Sequence, residues 1–248
     1  MSPLLTVQAL RKAYGDKVVL RSIDLTVEPG DVVCLIGSSG SGKSTLLRCL
    51  NLLETVDDGT ICFEGAEVTD PRVDARAVRR RMGMVFQAYN LFPHMTVLEN
   101  ITLAPRQVHG VSRRDAEARA HELLARFGLA EKASAHPDQL SGGQQQRAAV
   151  VRALATGPSL VLLDEVTSAL DPELVGEVLD IVRDMAAAGT TLVLATHEMA
   201  FARDVASKVC FLDDGVILEQ GPPSQILSAP AHDRTRRFLR RVLPSRPP

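Results

Sequence analysis

The sequence Gly37-Ser38-Ser39-Gly40-Ser41-Gly42-Lys43-Ser44 joins an apolar run at residues 31–36 to a helical pattern that continues from Thr45. Glycines at this spacing, followed by lysine and serine, are typical of a phosphate-binding loop, in which backbone N–H groups and a helix N-terminus surround an anion. We expect Lys43 to reach the β- and γ-phosphates of a nucleotide and Ser44 to bind Mg²⁺. The alternative is a glycine-rich turn that binds nothing, but the flanking strand and helix favour nucleotide binding.

The composition is that of a globular chain with a sizeable core. Of its 248 residues, 45% are apolar and 23% are charged, and the formal net charge is -2. This balance gives no positive field that would attract nucleic acid, so no nucleic-acid partner is expected. The four cysteines lack C-x-x-C spacing, which favours buried reduced thiols, and we expect no metal beyond nucleotide-bound Mg²⁺. No stretch approaches the ~20 apolar residues of a membrane span, so the chain is not expected to cross a bilayer.

The apolar patterns predict an α/β fold in one domain. Alternating apolar residues before residue 31 predict an N-terminal antiparallel β-layer, and the continuous apolar runs at residues 160–163 and 191–195 predict buried parallel strands of a mainly parallel sheet. A hairpin is expected at residues 209–218. The predicted parts are a core at residues 1–87 and 157–230, an inserted helical subdomain at about 88–156, and a basic C-terminal tail at 231–248.

Helix signals divide the inserted region and the second half of the core. A capping pattern at Ser112 opens a helix predicted over residues 112–127, and Ser141 opens a second one over residues 142–156. Asp171, followed by proline, is expected to cap a helix over residues 172–188. A shorter charged helix is expected at residues 73–81. The arginine-rich tail would present either a solvated helix face or a surface for anionic lipid or a membrane partner.

Several polar side chains directly follow predicted strands. Asp164 and Glu165 end the run 160–163, where doubly wound sheets bind their ligands, so we expect Asp164 to bind Mg²⁺ and Glu165 to polarise the attacking water. His197 follows the next strand and would contact the γ-phosphate. Gln87 closes an earlier apolar run and would touch both metal and water. Taken singly, each is also explained as an ordinary polar residue at a strand end.

Two further features complete the predicted site. Tyr14 lies beside a turn in the β-layer, where its ring would stack on an adenine face, although one aromatic residue is weak evidence. Leu140-Ser141-Gly142-Gly143-Gln144 forms a second glycine-rich helix N-terminus, which suits an anion but has no lysine. Two anion sites with one lysine suggest that a nucleotide is shared between two chains.

These segments together resemble the ATP-binding cassette (ABC) family, in the family's order and over nearly the whole chain. The segments that carry the resemblance are Gly37–Ser44, Gln87, Leu140–Gln144, Leu160–Glu165, Ser168–Asp171 and His197. Within the family, residues 87–100, 140–147 and 196–203 resemble the ATPase subunit of polar amino-acid importers of the glutamine/histidine/arginine type. The resemblance implies a P-loop ABC ATPase core that uses ATP and Mg²⁺.

The resemblance also implies an assembly. In a head-to-tail homodimer, ATP would lie between the phosphate-binding loop of one chain and Ser141, Gly142, Gly143 and Gln144 of the other, with Asp171 facing its counterpart. Glu165, His197 and Gln87 would act on the ATP held by their own loop. The dimer would drive transmembrane permease subunits at the cytoplasmic face of the plasma membrane, with substrate delivered by an extracytoplasmic amino-acid-binding protein. Leu91, Phe92 and Met95 would help to form the groove for the permease, or would only cover the helical subdomain.

Two other functions remain open at this point. One is a cassette ATPase of another transport complex, such as an exporter. The other is a soluble ABC ATPase without a transport role, although such proteins usually carry two cassettes or a long coiled-coil insertion, which this chain lacks.

The chain departs from the family pattern at Val166, where the family usually has proline after the glutamate. Proline restricts the backbone of the residue before it, so Glu165 is expected to be held less firmly here. Replacing Val166 with proline is therefore expected to raise ATP hydrolysis modestly and to leave ATP binding unchanged. Steady-state turnover and nucleotide affinity of the two proteins measure this, and an unchanged or lower turnover would refute the argument. Ser38, where close relatives often carry proline, is expected to matter little.

Overall fold

The computed structural model describes residues 2–168 and 170–242, and in these ranges ten strands join in one sheet. The spatial order of the strands is β5-β4-β1-β2-β10-β9-β3-β8-β7-β6. Their bounds are β1 Leu5–Tyr14, β2 Lys17–Val27, β3 Val32–Ile36, β4 Asp58–Phe63, β5 Ala66–Glu67, β6 Met82–Val85, β7 Leu160–Asp164, β8 Leu192–Ala195, β9 Lys208–Asp213 and β10 Val216–Gly221.

The sheet has an antiparallel and a parallel part. Strands β1, β2, β4 and β5 pair antiparallel, whereas β9, β3, β8, β7 and β6 lie parallel in that order. The two parts meet at a parallel pairing of β2 with β10, and β10 forms the predicted hairpin with β9. The α/β class, the antiparallel N-terminal layer and the largely parallel core sheet are thus confirmed.

Nine α-helices accompany the sheet in the part of the chain that the structure describes. Their bounds are α1 Lys43–Leu50, α2 Ala75–Arg79, α3 Val97–Gln107, α4 Arg113–Arg126, α5 Gly142–Leu154, α6 Pro172–Ala187, α7 Met199–Val205, α8 Pro223–Ile226 and α9 Asp233–Val242. The predicted helices at 112–127, 142–156 and 172–188 are confirmed with ends that differ by one or two residues. Helix α2 is shorter than the predicted 73–81, since it begins only after the cap at Asp74 and β6 starts at Met82.

Three helices, α3, α7 and α8, were not predicted. The capping box of α3, in which Thr96 and Glu99 satisfy each other's backbone N–H groups, was present in the sequence, but Pro105 interrupts the helical pattern. Helix α7 is short, and its N-cap residue Glu198, which precedes the helix, makes no side-chain capping hydrogen bond. Asp171 is the N-cap residue of α6, as predicted, although its side chain accepts no capping hydrogen bond.

The continuous apolar runs of the central strands are explained by burial on both faces. In β3, Val32, Cys34 and Ile36 pack into one hydrophobic cluster, and Val33 and Leu35 pack into a second on the opposite face. The first cluster includes side chains of α3–α6, and the second includes α1 and the antiparallel strands. Strand β3 and the loop that follows it are therefore anchored from both sides.

Most of the predicted C-terminal tail that the structure describes is helix α9, which packs on the core. Phe238 contacts Phe211 of β9 with ring centroids 5.1 Å apart, and Leu239 is buried. The Thr235 hydroxyl donates to Glu219 Oε2 at 2.7 Å, and Glu219 also accepts from the N–H groups of Ala231 and His232. Burial by itself would raise the pKa of Glu219, but these hydrogen bonds outweigh it and lower the pKa. Residues 243–248 of the predicted tail lie outside the described residues.

Candidate functional site

The phosphate-binding loop connects β3 to α1 and fits closely against its neighbours. Gly37 has φ +152°, and a Cβ atom there would lie 2.2 Å from the carbonyl oxygen of Leu212, so no other residue fits without moving β9. The Lys43 ammonium is buried and donates to the carbonyl oxygens of Gly37, at 3.0 Å, and Ser38, at 3.2 Å. The carbonyl groups of the loop therefore satisfy donors of this buried lysine.

Ser44 and Asp164 meet across the edge of the sheet. The Ser44 hydroxyl donates to Asp164 Oδ1 at 2.7 Å, which links the start of α1 to the end of β7. Burial raises the pKa of Asp164, and the hydrogen bond from Ser44 opposes that shift. A buried carboxylate beside a hydroxyl supplies hard oxygen ligands of the kind that Mg²⁺ prefers, with room left for phosphate and water oxygens.

Glu165 lies at the centre of the group. Its Oε1 atom is 3.4 Å from the Lys43 ammonium and 3.1 Å from Nε2 of His197. Strands β3, β7 and β8 are neighbours, so their carboxyl ends deliver the lysine, the glutamate and the histidine to one point. The structure thus brings together three residues that are more than 30 positions apart in the chain.

The backbone of Glu165 is held although residue 166 is valine. Glu165 has φ +47°, in the left-handed region that side-chain-bearing residues rarely adopt. Its N–H donates to Ala195 at 3.1 Å, and its carbonyl accepts from both the N–H and the hydroxyl of Ser168. Because these bonds restrain Glu165 independently of residue 166, the gain expected from Val166→Pro is small.

Gln87 follows β6, the edge strand next to β7, and its side chain is exposed. It makes no hydrogen bond with any residue that the structure describes. Gln87 therefore lies beyond Asp164 at the same edge of the sheet, while its predicted contacts with metal and water stay a prediction.

Tyr14 ends β1 with its side chain at the surface, where 45% of the residue is exposed. The Lys12 ammonium lies 5.0 Å from the ring centroid, so one face of the ring is covered. Burial and the neighbouring carboxylate of Glu54 raise the pKa of Tyr14, and Thr45 acts in the opposite direction, which puts the hydroxyl close to the start of α1. Tyr14 is thus a partly exposed aromatic residue near the start of α1.

Replacing Tyr14 with alanine is expected to weaken ATP binding about tenfold, because stacking on a base contributes about 1–3 kcal/mol. Tyr14→Phe keeps the ring and should bind ATP within about twofold of the parent protein. Calorimetric titration with ATP and with inorganic tripolyphosphate separates the base from the phosphates. An equal loss of affinity for both ligands would show that Tyr14 supports the loop and not the adenine.

The segment Leu140–Gln144 forms the N-terminus of α5. Ser141 and Gln144 make a reciprocal capping box, and their described hydrogen bonds are to each other rather than to Lys43. A Cβ atom on Gly142 would lie 3.0 Å from the Tyr89 hydroxyl, and one on Gly143 would lie 3.3 Å from Leu174. Packing therefore gives a local reason for both glycines. Among the described residues, neither Ser141 nor Asp171 makes a hydrogen bond or ion pair with Lys43, Glu165 or His197, so neither belongs to the group formed around Glu165.

Arg152 is a residue of the site region that no sequence pattern distinguishes. It projects from α5, donates to the backbone carbonyls of Tyr89, at 3.2 Å, and Asn90, and so holds the loop after Gln87. Desolvation lowers the pKa of this guanidinium, which has no carboxylate partner among the described residues. An arginine near the end of an amphipathic helix resembles a surface residue, so only the fold reveals its position.

The comparisons with known proteins agree with the resemblance to the ABC family. The family described as ABC transporter matches residues 20–168. The glutamine transport ATP-binding protein GlnQ of Geobacillus stearothermophilus is 50% identical over 234 residues, which cover 94% of this chain and 97% of the relative. The L-cystine import ATP-binding protein TcyC of Bacillus subtilis is 50% identical over 244 residues, which cover 97% and 99%.

A solved structure agrees with the fold. The dimeric post-hydrolysis state of the ATP-binding cassette MJ0796, bound to ADP and Pi, superposes with a TM-score of 0.79. The two sequences are 32% identical, and the match covers 88% of this chain and 98% of the solved one.

Proposed function

The chain belongs to the ABC transporter family, and from this premise we propose that it hydrolyses ATP to power the uptake of a polar amino acid. The observation that carries the proposal is the meeting of Lys43, Glu165 and His197 at the carboxyl end of three adjacent strands. A cation, a carboxylate and an imidazole beside an anion-binding loop are suited to phosphoryl transfer to water. The names of the relatives point to glutamine and cystine, so the substrate class is a polar amino acid.

We assign one step to each residue of the group. Lys43 exchanges its loop carbonyls for the β- and γ-phosphates, and the backbone N–H groups of Gly37–Thr45 surround the same oxygens. Glu165 accepts a proton from the attacking water. His197 bonds the γ-phosphate and keeps Glu165 in place through the 3.1 Å contact.

Ser44, Asp164 and Gln87 are the residues that would hold Mg²⁺. The hydroxyl and the buried carboxylate are already in contact, and the amide lies at the end of the next strand. The ion would neutralise charge on the β- and γ-phosphates when bound. Glu165 would then be the side chain that takes part in proton transfer. Lys43 and His197 would be the side chains that orient the phosphate.

The second half of the site belongs to another copy of the chain. Ser141, Gly142, Gly143 and Gln144 present an exposed helix N-terminus that makes no described contact with Lys43. In a two-fold dimer, each such N-terminus faces the loop of the other chain, and the two Asp171 residues come together between the sites. The dimeric state of the MJ0796 cassette supports this arrangement.

The membrane partner would contact the loop that follows β6. Asn100 is buried and clamps this loop, since it accepts from the N–H of Phe92 and donates to the carbonyls of Phe92, Met95 and Thr96. The clamp turns Phe92 outward, with 42% of the residue exposed, while Leu91 and Met95 are half buried. None of the helices that the structure describes is long and apolar enough to cross a membrane, so transport needs permease subunits. We place the chain at the cytoplasmic face of the plasma membrane, peripherally bound, with an extracytoplasmic binding protein delivering the amino acid.

Replacing Phe92 with aspartate is expected to detach the chain from its permease, because a charge would enter an apolar contact. Val111→Asp changes an exposed valine between α3 and α4 and serves as the matched control. Co-purification of the chain with the permease in detergent measures the contact, and basal ATP turnover shows that the cassette is intact. If the Phe92→Asp chain still co-purifies as well as the control, the docking role is wrong.

The function as a whole is tested by reconstitution. The chain and the permease encoded beside it are placed in vesicles with the cognate binding protein, and uptake of radiolabelled glutamine, cystine, arginine and histidine is measured with ATP inside. We expect one of these amino acids to accumulate and to stimulate ATP turnover. Stimulation by none of them would exclude the polar amino-acid class and favour another transport complex, whereas association of the chain with ribosomal RNA would favour a role outside transport.

A further inference from the structure

A cavity of about 450 Å³ lies between the phosphate-binding loop and the C-terminal helix α9. Ser38 and Ser39 of the loop line it together with His197, as do Arg237 and Arg241 of α9, and the ion-paired Asp213 and Arg234 also border it. The wall of the nucleotide site is thus continuous with a part of the chain that the site described above does not use.

The arginines of α9 divide into two groups. Arg234, Arg237 and Arg241 line the cavity, whereas Arg236 and Arg240 do not. Arg234 is paired with Asp213, and Arg236 is paired with Asp233. Arg237 and Arg241 form no ion pair with any carboxylate in residues 2–168 and 170–242. The cavity therefore has two guanidinium groups whose charge is not balanced by a partner on the described protein.

Helix α9 is fixed well enough to hold these groups in position. The contact between Phe211 and Phe238 and the buried bond between Thr235 and Glu219 attach it to β9 and β10. Strand β9 is also the neighbour of β3, from which the phosphate-binding loop emerges. Helix α9, which carries the arginines, therefore packs on the strand next to the one from which the loop emerges.

We propose that Arg237 and Arg241, together with the hydroxyl of Ser39, bind the inorganic phosphate that ATP hydrolysis releases. Guanidinium groups and hydroxyls are matched donors for phosphate oxygens, and Arg is well suited to bidentate contact with them. The product would form beside His197, which borders the same cavity. Phosphate held there delays its own release and makes turnover sensitive to the phosphate concentration.

The inference rests on the ATP hydrolysis proposed above, but not on the transported substrate. Its test is the affinity for inorganic phosphate of the full-length protein saturated with ADP, measured by equilibrium dialysis. The Arg237→Gln, Arg241→Gln double variant is expected to bind phosphate about tenfold more weakly or worse, since each charge-assisted bond is strong. Arg240→Gln, at an arginine of α9 that does not line the cavity, is the matched control and should stay within about twofold of the parent.

Four further measurements complete the design. The affinity for ADP, taken on the same samples, should be unchanged and reports that the variants are folded. Replacing both arginines with lysine keeps the charge and should restore most of the phosphate affinity. In single-turnover reactions, a phosphate sensor should report faster phosphate release from the double glutamine variant than from the parent. Bond cleavage, followed by chemical quench, should proceed at the parent rate.

A lipid headgroup carries the same phosphate chemistry, so sedimentation with phosphatidylglycerol vesicles forms the second arm. Loss of vesicle binding in the double variant with unchanged phosphate affinity would overturn the proposal in favour of a membrane contact. Equal phosphate affinity in all variants, in a protein that still hydrolyses ATP, would overturn it while leaving the proposed function intact. Absence of hydrolysis in the parent protein would instead refute the proposed function.

Discussion

Replacement of Glu165 with glutamine is expected to lower ATP turnover by about a thousandfold, which is within the range for loss of a general base. Glutamine has nearly the same shape, so contact with His197 can persist, but it accepts no proton from water at neutral pH. ATP should still bind to the loop, and because hydrolysis is the step that reopens the proposed dimer, the variant should accumulate as an ATP-bound dimer. Steady-state phosphate production measures the first effect, and size-exclusion chromatography with ATP and Mg²⁺ measures the second.

Glu198→Gln is the control for this experiment. Glu198 follows His197 and precedes α7, so the substitution removes a carboxylate from the same region without touching the group around Lys43. Its turnover should remain close to that of the parent protein. A Glu165→Gln chain that keeps more than about a tenth of the parental rate would show that another group activates the water.

Mixing two inactive variants is expected to restore ATP hydrolysis if the nucleotide is shared between chains. Lys43→Ala removes the cation that binds the phosphates, and Ser141→Arg blocks the exposed N-terminus of α5; each change alone should lower turnover by about a hundredfold or more. In a two-fold dimer that combines one chain of each kind, both defects fall in one site, and the other site has a normal loop and a normal α5. The mixture should therefore recover about a quarter of the parental rate when exchange is random and one site suffices.

The control mixture combines Lys43→Ala with Glu165→Gln. Lys43 and Glu165 are 3.4 Å apart in the same chain, so every dimer in this mixture retains two defective sites. No recovery is expected. Recovery in both mixtures, or in neither, would contradict the assignment of Ser141 to the site of the other chain.

The central parts of the site were predictable because their signals are local. The phosphate-binding loop is a contiguous sequence, and Asp164, Glu165 and His197 each follow an apolar run, so the rule that ligands gather at the carboxyl ends of parallel strands is enough to bring them together. The strand β3 carries apolar residues without alternation, which correctly indicated burial on both faces.

The remaining features depend on contacts between distant residues or on signals that conflict. Helix α3 has a capping box but also an internal proline, and the two signals oppose each other in the sequence. The positive φ of Glu165 arises in the turn that Ser168 closes, and the residue types of this segment do not predict it. Arg152 and Arg237 are ordinary arginines on amphipathic helices until the fold brings one against a backbone loop and the other to the cavity that Ser38 also lines.

The attachment of α9 through Glu219 has a consequence for shortened forms of the protein. A chain cut after residue 230 would lose every donor that Glu219 now has on the C-terminal segment and would uncover Phe211 and its apolar neighbours. In the intact protein the lowered pKa of Glu219 contributes stability at neutral pH, and that contribution is lost as the pH falls through the folded-state value. A truncated cassette would lack it at every pH and would tend to aggregate through the uncovered strand surface, so the last helix belongs to the folding unit of the cassette and is not a removable extension.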